Sequence, residues 1–380
     1  MTERPRHREP SDDTPSDLGA SGGDDVSHVT EPPSGRERAG PPGPATRRLW
    51  ALLLGATGVL LLLCALSLAV GARHIPPGDV WQALVDPHDP EVEAVVRSVR
   101  VPRTLLGLSA GAALGVSGTL MQALTRNPLA DPGILGVTGG ASFAVVLAVG
   151  VLGVSSLYGY VWFAFAGALA AGALVYLLGG VGRTGMTPVK LALAGMAVTA
   201  MLNSLTSAVT LTDTEALNRH RFWAAGSLAG QETSVVLRLA PFLVCGLLGA
   251  LALAPALNSL ALGDEVAVAL GRRTGWVRVQ GAVAVTLLTG GAVAVVGPLV
   301  FVGLVVPHLA RALTARAGVG PDHRWLLPLS MVIAPGLLLA ADVLGRLVAQ
   351  PGEMAVGIVM AFLGGPFFIA LVRRRRLAEL

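Results

Sequence analysis

The stretch RVPRTLLGLSAGAALGVSGTLMQALTRNPLADPGILGVTGGAS, residues 100–142, decides the fold class. It carries two apolar runs, 103–123 and the start of 132–152, and each run is about long enough to cross a ~30 Å hydrocarbon core as a helix. The turn between them contains Pro128 and Pro132, which stop helices, and Asp131, which can cap the helix that follows. The stretch therefore predicts two membrane helices joined by a stiff turn.

The rest of the chain repeats this pattern of apolar runs and polar breaks. Of its 380 residues, 53% are hydrophobic and only 14% are charged, which is unlike a soluble domain. Cys64 and Cys245 both lie in apolar runs, so neither a disulfide framework nor a thiolate metal site is indicated. We predict an all-α membrane protein with ten transmembrane helices, near 49–71, 103–123, 132–152, 159–180, 188–211, 236–256, 275–297, 299–316, 325–346 and 354–372.

Residues 1–46 differ from the rest of the chain. They are rich in Pro, Gly, Ser, Asp, Glu and Arg and show no apolar period, so they cannot bury enough surface to fold. We predict a disordered tail at 1–46 and a transmembrane domain at 47–376.

Basic residues indicate the orientation. If the N-terminus is cytoplasmic, the inner segments carry about twice as many Lys and Arg residues as the outer ones, which predicts that both termini are cytoplasmic. Gly107, Gly111, Gly115 and Gly118 form a stripe of small residues along the second span, and such a stripe predicts close packing against another helix.

The residue inventory argues against several energy sources. Every acid outside the tail falls in a loop or near a predicted span end, which disfavours an ion-coupled secondary carrier. Lys190 is the only lysine and lacks the glycines of a phosphate-binding loop, so we predict that the chain does not hydrolyse ATP. His308 stands without a catalytic or metal motif and is predicted to be a polar cap at the membrane surface. We predict neither an enzyme nor a cofactor, but a pathway lined by apolar and small polar groups.

The segment LALGDEVAVALGRR, residues 260–273, predicts a short helix on the cytoplasmic side. Asp264 can serve as its N-cap, and Gly271 with Arg272 and Arg273 ends it. Val266, Ala267 and Leu270 are predicted to cluster on one side of this helix. A compact helix at this place suits docking into a groove on a soluble partner. An ordinary surface helix explains the spacing equally well.

Several long motifs together resemble the permease subunits of type II ABC importers, which take up iron-siderophores, haem and cobalamin. The resemblance covers about residues 50–375, and the family's ten-span fold agrees with the count above. Its most specific parts are residues 100–142, LGDEVAVALG (262–271), GPLVFVGLVVPHLAR (297–311), DHRWLLPLS (322–330) and ADVLGR (341–346).

The resemblance implies a docking site on the outer face. In that family, two arginines of an R-x-P-R motif and one that follows A-D near the end of the ninth span meet acidic residues of a substrate-binding protein. Here these are Arg100, Arg103 and Arg346. Paired charges suit a complex that must form and release quickly.

The resemblance also implies an inner gate and a coupling site. Asn127 and Leu129 of the N-P-L-A loop become gate residues, and Thr187 joins them, although the Pro188 and Val189 that follow depart from the small hydroxyl residues usual there. The coupling helix corresponds to residues 260–273. Its implied contacts with the ATPase are Leu262, Gly263, Asp264, Glu265, Ala269, Leu270 and Gly271.

The predicted function is a permease subunit that carries a ferric siderophore across the cytoplasmic membrane. The alternatives are the same mechanism with cobalamin or haem, an ion-coupled carrier, or a receptor or scaffold without transport. The implied partners are an ATP-binding cassette ATPase, an extracytoplasmic substrate-binding protein, a second permease subunit in a homo- or heterodimer, and membrane lipid. No nucleic acid, metal or cofactor is expected.

Overall fold

The computed structural model describes residues 44–71, 75–86, 89–154, 156–180, 187–230 and 232–378. These residues belong to one unit, Gly43–Leu380. Most of the predicted tail, residues 1–43, lies outside the described residues. Its last three positions belong to the first helix, which begins at Pro44.

The described residues are helical, with turns and loops between the helices. The α-helices in chain order are α1 (Pro44–Ala69), α2 (Pro77–Val85), α3 (Pro90–Glu93), α4 (Val101–Thr125), α5 (Val137–Gly150), α6 (Leu157–Gly180), α7 (Pro188–Thr212), α8 (Thr214–Ala224), α9 (Thr233–Ala261), α10 (Asp264–Ala269), α11 (Thr274–Val296), α12 (Val302–Arg316), α13 (His323–Val348) and α14 (Val356–Ala378). A π-helical segment, Ala94–Arg100, leads into α4, and a 3₁₀ turn, Pro132–Leu135, precedes α5.

Each of the ten predicted spans coincides with one of these helices: α1, α4, α5, α6, α7, α9, α11, α12, α13 and α14. Within the described residues, seven of them are long and apolar enough to cross a membrane, while α5 and part of α14 are shorter apolar helices. The third span was predicted as one helix over 132–152, and this is wrong in detail. The backbone of Gly136 takes a left-handed conformation, with φ of 71°, and separates the 3₁₀ turn from α5.

Helix α4 lies at the centre of the bundle, and its glycine stripe forms the predicted close contacts. A Cβ atom added at Gly111 would lie 2.5 Å from the Cα atom of Pro335 on α13. One added at Gly118 would lie 2.1 Å from the carbonyl oxygen of Gly303 on α12. Neither backbone could come this close if the glycines carried side chains.

The outer helices keep apolar faces exposed in the single chain. Leu61 on α1 is 65% exposed and Leu193 on α7 is 57% exposed. In a membrane protein such faces contact lipid or another subunit, because lipid tails are as apolar as these side chains.

The two ends of the bundle carry the charged clusters. Arg103 and Arg126 lie near opposite ends of α4 and are separated by roughly 34 Å at 1.5 Å per residue, which matches the thickness of a hydrocarbon core. We call these the Asp342 end and the Asp264 end, after the carboxylate that each arginine binds.

Candidate functional site

A buried network of ion pairs lies at the Asp342 end. Arg103 donates from Nη2 to Asp342 Oδ1 at 2.8 Å and from Nε to Asp342 Oδ2 at 3.0 Å. Arg346, one turn along α13, places Nη2 2.9 Å from Asp342 Oδ2. Nη1 of Arg103 donates to Glu353 Oε2 at 2.5 Å. The Asp342 side chain is 0% exposed, whereas the Glu353 side chain is 38% exposed. Glu353 is therefore the member of the network that lies at the protein surface.

Arg346 and a further arginine, Arg100, bind the C-terminal end of α1. Arg100 donates from Nη1 to the carbonyl oxygens of Leu68 and Ala69 at 2.6 and 2.8 Å. Arg346 donates from Nη1 to the carbonyl oxygens of Ser67 and Val70 at 2.9 and 2.6 Å. The last carbonyls of a helix lack partners within it and carry partial negative charge, so two cations at this position hold α1 against the bundle.

The three arginines predicted for docking therefore come together in one place, but inside the protein. Arg100, Arg103 and Arg346 are only 4%, 5% and 2% exposed. Sequence reasoning missed Asp342 and Glu353 as their partners, and it placed Asp342 among the acids near span ends. The spacing of Asp342 and Arg346, four residues apart on one helix, was the signal for one of these pairs.

A second cluster, at the Asp264 end, joins three segments of the chain. Asp264 begins α10, Arg278 lies on α11, and Arg126 follows the last residue of α4. Arg278 Nη2 donates to both carboxylate oxygens of Asp264 at 2.9 and 2.8 Å, and Arg126 Nη2 donates to Oδ1. The short helix α10 is thus tied directly to the loop after α4.

These contacts correct the predicted role of Asp264. The N-cap of α10 is Gly263, with φ of 118°, and Asp264 is the first helical residue. Its carboxylate binds two arginines instead of capping the helix. Burial raises the pKa of Asp264, but the hydrogen bond and charge of Arg278, followed by those of Arg126, outweigh it and leave the pKa below its ordinary value.

Helix α10 presents apolar side chains outward. The helix ends at Ala269, and Gly271 has a φ of 77°, as the predicted terminating glycine requires. The predicted clustering of Ala267 with Val266 and Leu270 is wrong, because Ala267 is fully buried against the bundle while the other two side chains are exposed. Glu265 and Ala269 are exposed as well. The exposed apolar side chains here and just before the helix are Leu262, Val266, Val268 and Leu270, at 65%, 44%, 58% and 59%.

Two of the predicted gate residues, Asn127 and Leu129, lie in the turn that follows Arg126 of this cluster. Arg126 ends α4 in a left-handed conformation, with φ of 50°. Asn127 Oδ1 then accepts a hydrogen bond from the backbone N–H of Leu129 at 2.9 Å, so the amide side chain holds the turn in shape. Leu129 is 38% exposed. Thr187 is the N-cap of α7 and accepts from the N–H of Lys190 at 3.3 Å, while the neighbouring residues 181–186 lie outside the described residues.

The loop after α4 enters the bundle, where Pro132 lies close to Gly303 on α12. Asp131 Oδ1 accepts from the N–H of Gly133 at 2.8 Å and caps the 3₁₀ turn, as predicted. A Cβ added at Gly303 would lie 2.9 Å from Pro132 Cδ, and Gly303 also meets Gly118. Gly118 lies roughly 12 Å along α4 from Arg126, so the turn reaches into the bundle.

The sequence predicted His308 to be a polar cap at the membrane surface, and this prediction is wrong. His308 lies inside α12, is 9% exposed, and places Nδ1 2.8 Å from the carbonyl oxygen of Leu304. Among the described residues, no group of three or more His, Cys, Asp or Glu side chains is arranged to hold a metal ion.

A bundle of apolar helices with charged clusters at its two ends defines a multi-pass membrane protein. The chain belongs to the FecCD transport family, whose model matches residues 59–374. The family resemblance seen in the motifs is therefore confirmed, and the chain is a permease of the ABC importer class, a class that works with an ATPase and a binding protein.

Individual relatives match nearly the whole chain. The ferric enterobactin transport system permease protein of Escherichia coli (strain K12) is 46% identical over 326 residues, which cover 85% of this chain and 96% of that protein. The hemin transport system permease protein of Yersinia pestis is 36% identical over 331 residues, covering 86% and 96%. A solved metal-chelate type ABC transporter in an inward-facing conformation is similar with a TM-score of 0.74 and 31% identity, covering 86% of this chain and 99% of that one.

Proposed function

We propose that this chain is the membrane-spanning subunit of a binding-protein-dependent ABC importer that carries a ferric siderophore across the cytoplasmic membrane. The similarity to a permease named for ferric enterobactin supports this cargo. Haem is the second candidate, because a permease named for hemin is also similar over most of the chain. Cobalamin is a third candidate cargo, and only the family resemblance supports it.

The observation that carries the mechanism is the link through Asp264. The side chains of Leu262, Val266 and Leu270 form an apolar surface on and beside α10 that suits docking of a separate ATPase. Asp264 connects that helix to Arg126, the residue before Asn127. When the ATPase moves α10, the ion pair pulls on the loop that holds Asn127 and Leu129. We therefore assign this loop to the inner gate and residues 260–273 to coupling.

The orientation follows from the same assignment. The Asp264 end faces the cytoplasm, together with both termini, and the greater number of basic residues predicted for this side supports it. The Asp342 end then faces outward and receives the substrate-binding protein. Thr187 belongs to the cytoplasmic side, where the family resemblance makes it a second gate element.

Docking of the binding protein involves Arg100, Arg103 and Arg346. Because these arginines are buried and bonded within the chain, a carboxylate of the partner gains access by competing with Glu353, the exposed member of the network. Docking would then exchange one ion pair for another, which suits a complex that must release.

A second permease subunit completes the pathway. The exposed apolar face of α7 supports this, since an apolar face of this kind suits another subunit as well as lipid. The partner is a second copy of this chain or a related permease. The ATP-hydrolysing site lies on the separate ATPase subunit.

The test is uptake by the purified complex. The chain is reconstituted into proteoliposomes with its ATPase, with the binding protein on the outside and ATP inside, and uptake of ferric enterobactin, hemin and cobalamin is compared. We expect ATP-dependent uptake of the ferric siderophore. Preferential uptake of hemin or cobalamin would make that compound the cargo in place of the ferric siderophore. Uptake that needs no ATP would contradict the importer mechanism.

A further inference from the structure

A cavity with aromatic walls opens at the Asp342 end. Its volume is about 370 Å³, within the ~300–1,000 Å³ range of small-molecule sites. Tyr160, Phe222 and Trp223 line it, together with Arg103 and Glu353 of the ion network. We call it the aromatic pocket. It is formed by segments far apart in the sequence, so it is a product of the fold and not of one loop.

The wall of the aromatic pocket is held in place by backbone contacts. The N–H of Ser227 donates to the carbonyl oxygen of Val296 at 2.8 Å, and the N–H of Gly357 donates to that of Gly226 at 3.0 Å. A Cβ added at Gly297 would lie 2.2 Å from the carbonyl oxygen of Trp223. The segment after α8 is thus fixed to the end of α11 and the start of α14, and the pocket is preformed.

The pocket combines apolar rings with a few polar groups. Phe222 is 81% exposed at its rim, whereas Trp223 is 7% exposed. Trp223 Nε1 is buried and has no acceptor among the described residues. Glu353 offers an exposed carboxylate beside Arg103. Such a site suits a ligand that has flat aromatic groups and hydrogen-bonding atoms at their edges.

The aromatic pocket is the first of three cavities that share walls. Ala225 separates it from a cavity of about 430 Å³, which follows α14 to Phe362. Pro298 and Val300 are shared between that cavity and a third one of about 60 Å³, lined by Asp131. The series runs from the Asp342 end to the loop that begins at Arg126.

We propose that the aromatic pocket binds an aromatic arm of a ferric chelate as the chelate enters the pathway, with Phe222 as the stacking surface at the rim and the indole N–H of Trp223 as a donor in the wall. The inference rests on the proposed function, because it takes the cargo to be a chelate that arrives at this end. It also places charged groups beside the pathway, where the sequence had predicted only apolar and small polar groups.

The test measures binding to the permease–ATPase complex in nanodiscs without the binding protein, so that docking cannot affect the result. The probes are ferric enterobactin, a tris-catecholate with aromatic rings, and ferric citrate, which has none. The variants are Phe222→Ala and Trp223→Phe, which removes the indole N–H but keeps an aromatic ring. The matched control is Trp81→Phe, an exposed tryptophan on α2 outside the pocket.

We expect Phe222→Ala to weaken binding of the catecholate about 5- to 10-fold, because it removes the stacking surface at the rim. Trp223→Phe should weaken it about 3-fold through the lost donor. Ferric citrate binding and the Trp81→Phe variant should match wild type.

Two results overturn the inference: no saturable binding of the catecholate to wild type, or equal losses for both probes in the pocket variants. ATP-driven uptake measured in parallel separates the two proposals. If wild type takes up the catecholate but the pocket variants bind it normally, only the aromatic pocket is wrong. If wild type takes up neither chelate, the proposed function fails.

Discussion

Arg103 of α4 and Asp342 of α13 form a two-point ion pair inside the bundle, with Nη2–Oδ1 and Nε–Oδ2 distances of 2.8 and 3.0 Å. The two residues lie 239 positions apart in the chain and are 5% and 0% exposed. Buried charges are costly unless they are fully paired, so each member of this pair depends on the other.

Asp342→Asn tests this dependence. The substitution leaves Arg103 and Arg346 buried without their carboxylate, and we expect the free energy of unfolding to fall by about 3 kcal/mol. Chemical denaturation of the purified chain in detergent measures it. The control is Glu215→Gln, which breaks an exposed pair with Arg219 on α8 and should cost no more than about 0.5 kcal/mol. Equal losses in both variants would show that the buried pair has no special role.

Much of the fold follows from the sequence, because apolar runs of membrane length and the glycine stripe on α4 are local patterns. The ion-pair partners of the charged residues do not follow from the sequence. Arg103 binds a carboxylate on α13, a helix that is distant in the sequence but adjacent in the bundle. Asp264 binds Arg278 and Arg126 instead of capping α10. Such choices are made by tertiary packing, which brings competing donors to a carboxylate that local spacing assigns elsewhere.

The turn at 126–136 illustrates the same limit. Its prolines predict where α4 ends, and Asp131 caps the turn as the sequence indicates. Its depth in the bundle depends on Gly118 and Gly303, which let α4, α12 and Pro132 meet closely. No pattern within the turn itself contains that information.

Glu353→Gln should strengthen binding of the substrate-binding protein. Glu353 occupies Nη1 of Arg103, and removing its charge leaves that cation available to a carboxylate of the partner. We expect about a 5-fold lower Kd, measured by surface plasmon resonance on the permease–ATPase complex in nanodiscs. The control is Glu93→Gln, an acid in an exposed pair at the same end. Weaker binding in Glu353→Gln would contradict the exchange of ion pairs and would mean that Glu353 itself contacts the partner.

Asp264→Asn should uncouple transport from ATP hydrolysis. The ATPase still docks on the apolar surface of α10, but the connection to Arg126 and Arg278 is weakened. We expect the amount of cargo moved per ATP to fall about 10-fold while the complex still co-purifies.

The control for this experiment is Arg324→Gln, an exposed cation at the start of α13, at the same end of the bundle. It should keep the wild-type ratio of cargo to ATP. If Asp264→Asn also keeps that ratio, the link between α10 and the gate loop is not part of coupling.

The link through Asp264 should survive mild acid. Because its pKa lies below the ordinary value of 3.8, the ionised carboxylate is favoured in the folded protein. The stabilisation is fully present above that ordinary value and is lost only as the pH falls through the lowered pKa. Spin labels at Leu129→Cys and Val268→Cys should report an unchanged distance from about pH 8 to about pH 5.

The same labels in the Asp264→Asn background provide the comparison, and there we expect a broader distance distribution at every pH. A transition between about pH 5 and 7 in the wild-type background would mean that the carboxyl group is protonated far more easily than its two arginines allow.

Gly118→Ala should destabilise the bundle, because the added Cβ would lie 2.1 Å from the carbonyl oxygen of Gly303 and 2.4 Å from its Cα atom. We expect a loss of about 1–3 kcal/mol in the same denaturation assay. Gly249→Ala on α9, where a Cβ meets nothing within 4 Å, should be neutral or stabilising, since Ala is the better helix former. Matching effects in the two variants would show that close contact at Gly118 is unimportant.

The most direct test of the central claim is uptake of radioactive ferric enterobactin into proteoliposomes that contain this chain and its ATPase, with the binding protein outside and ATP inside. We predict uptake that requires all three proteins and disappears when the Walker lysine of the ATPase is replaced by alanine. Uptake that persists in that ATPase variant would contradict the account and would indicate a carrier driven by an ion gradient.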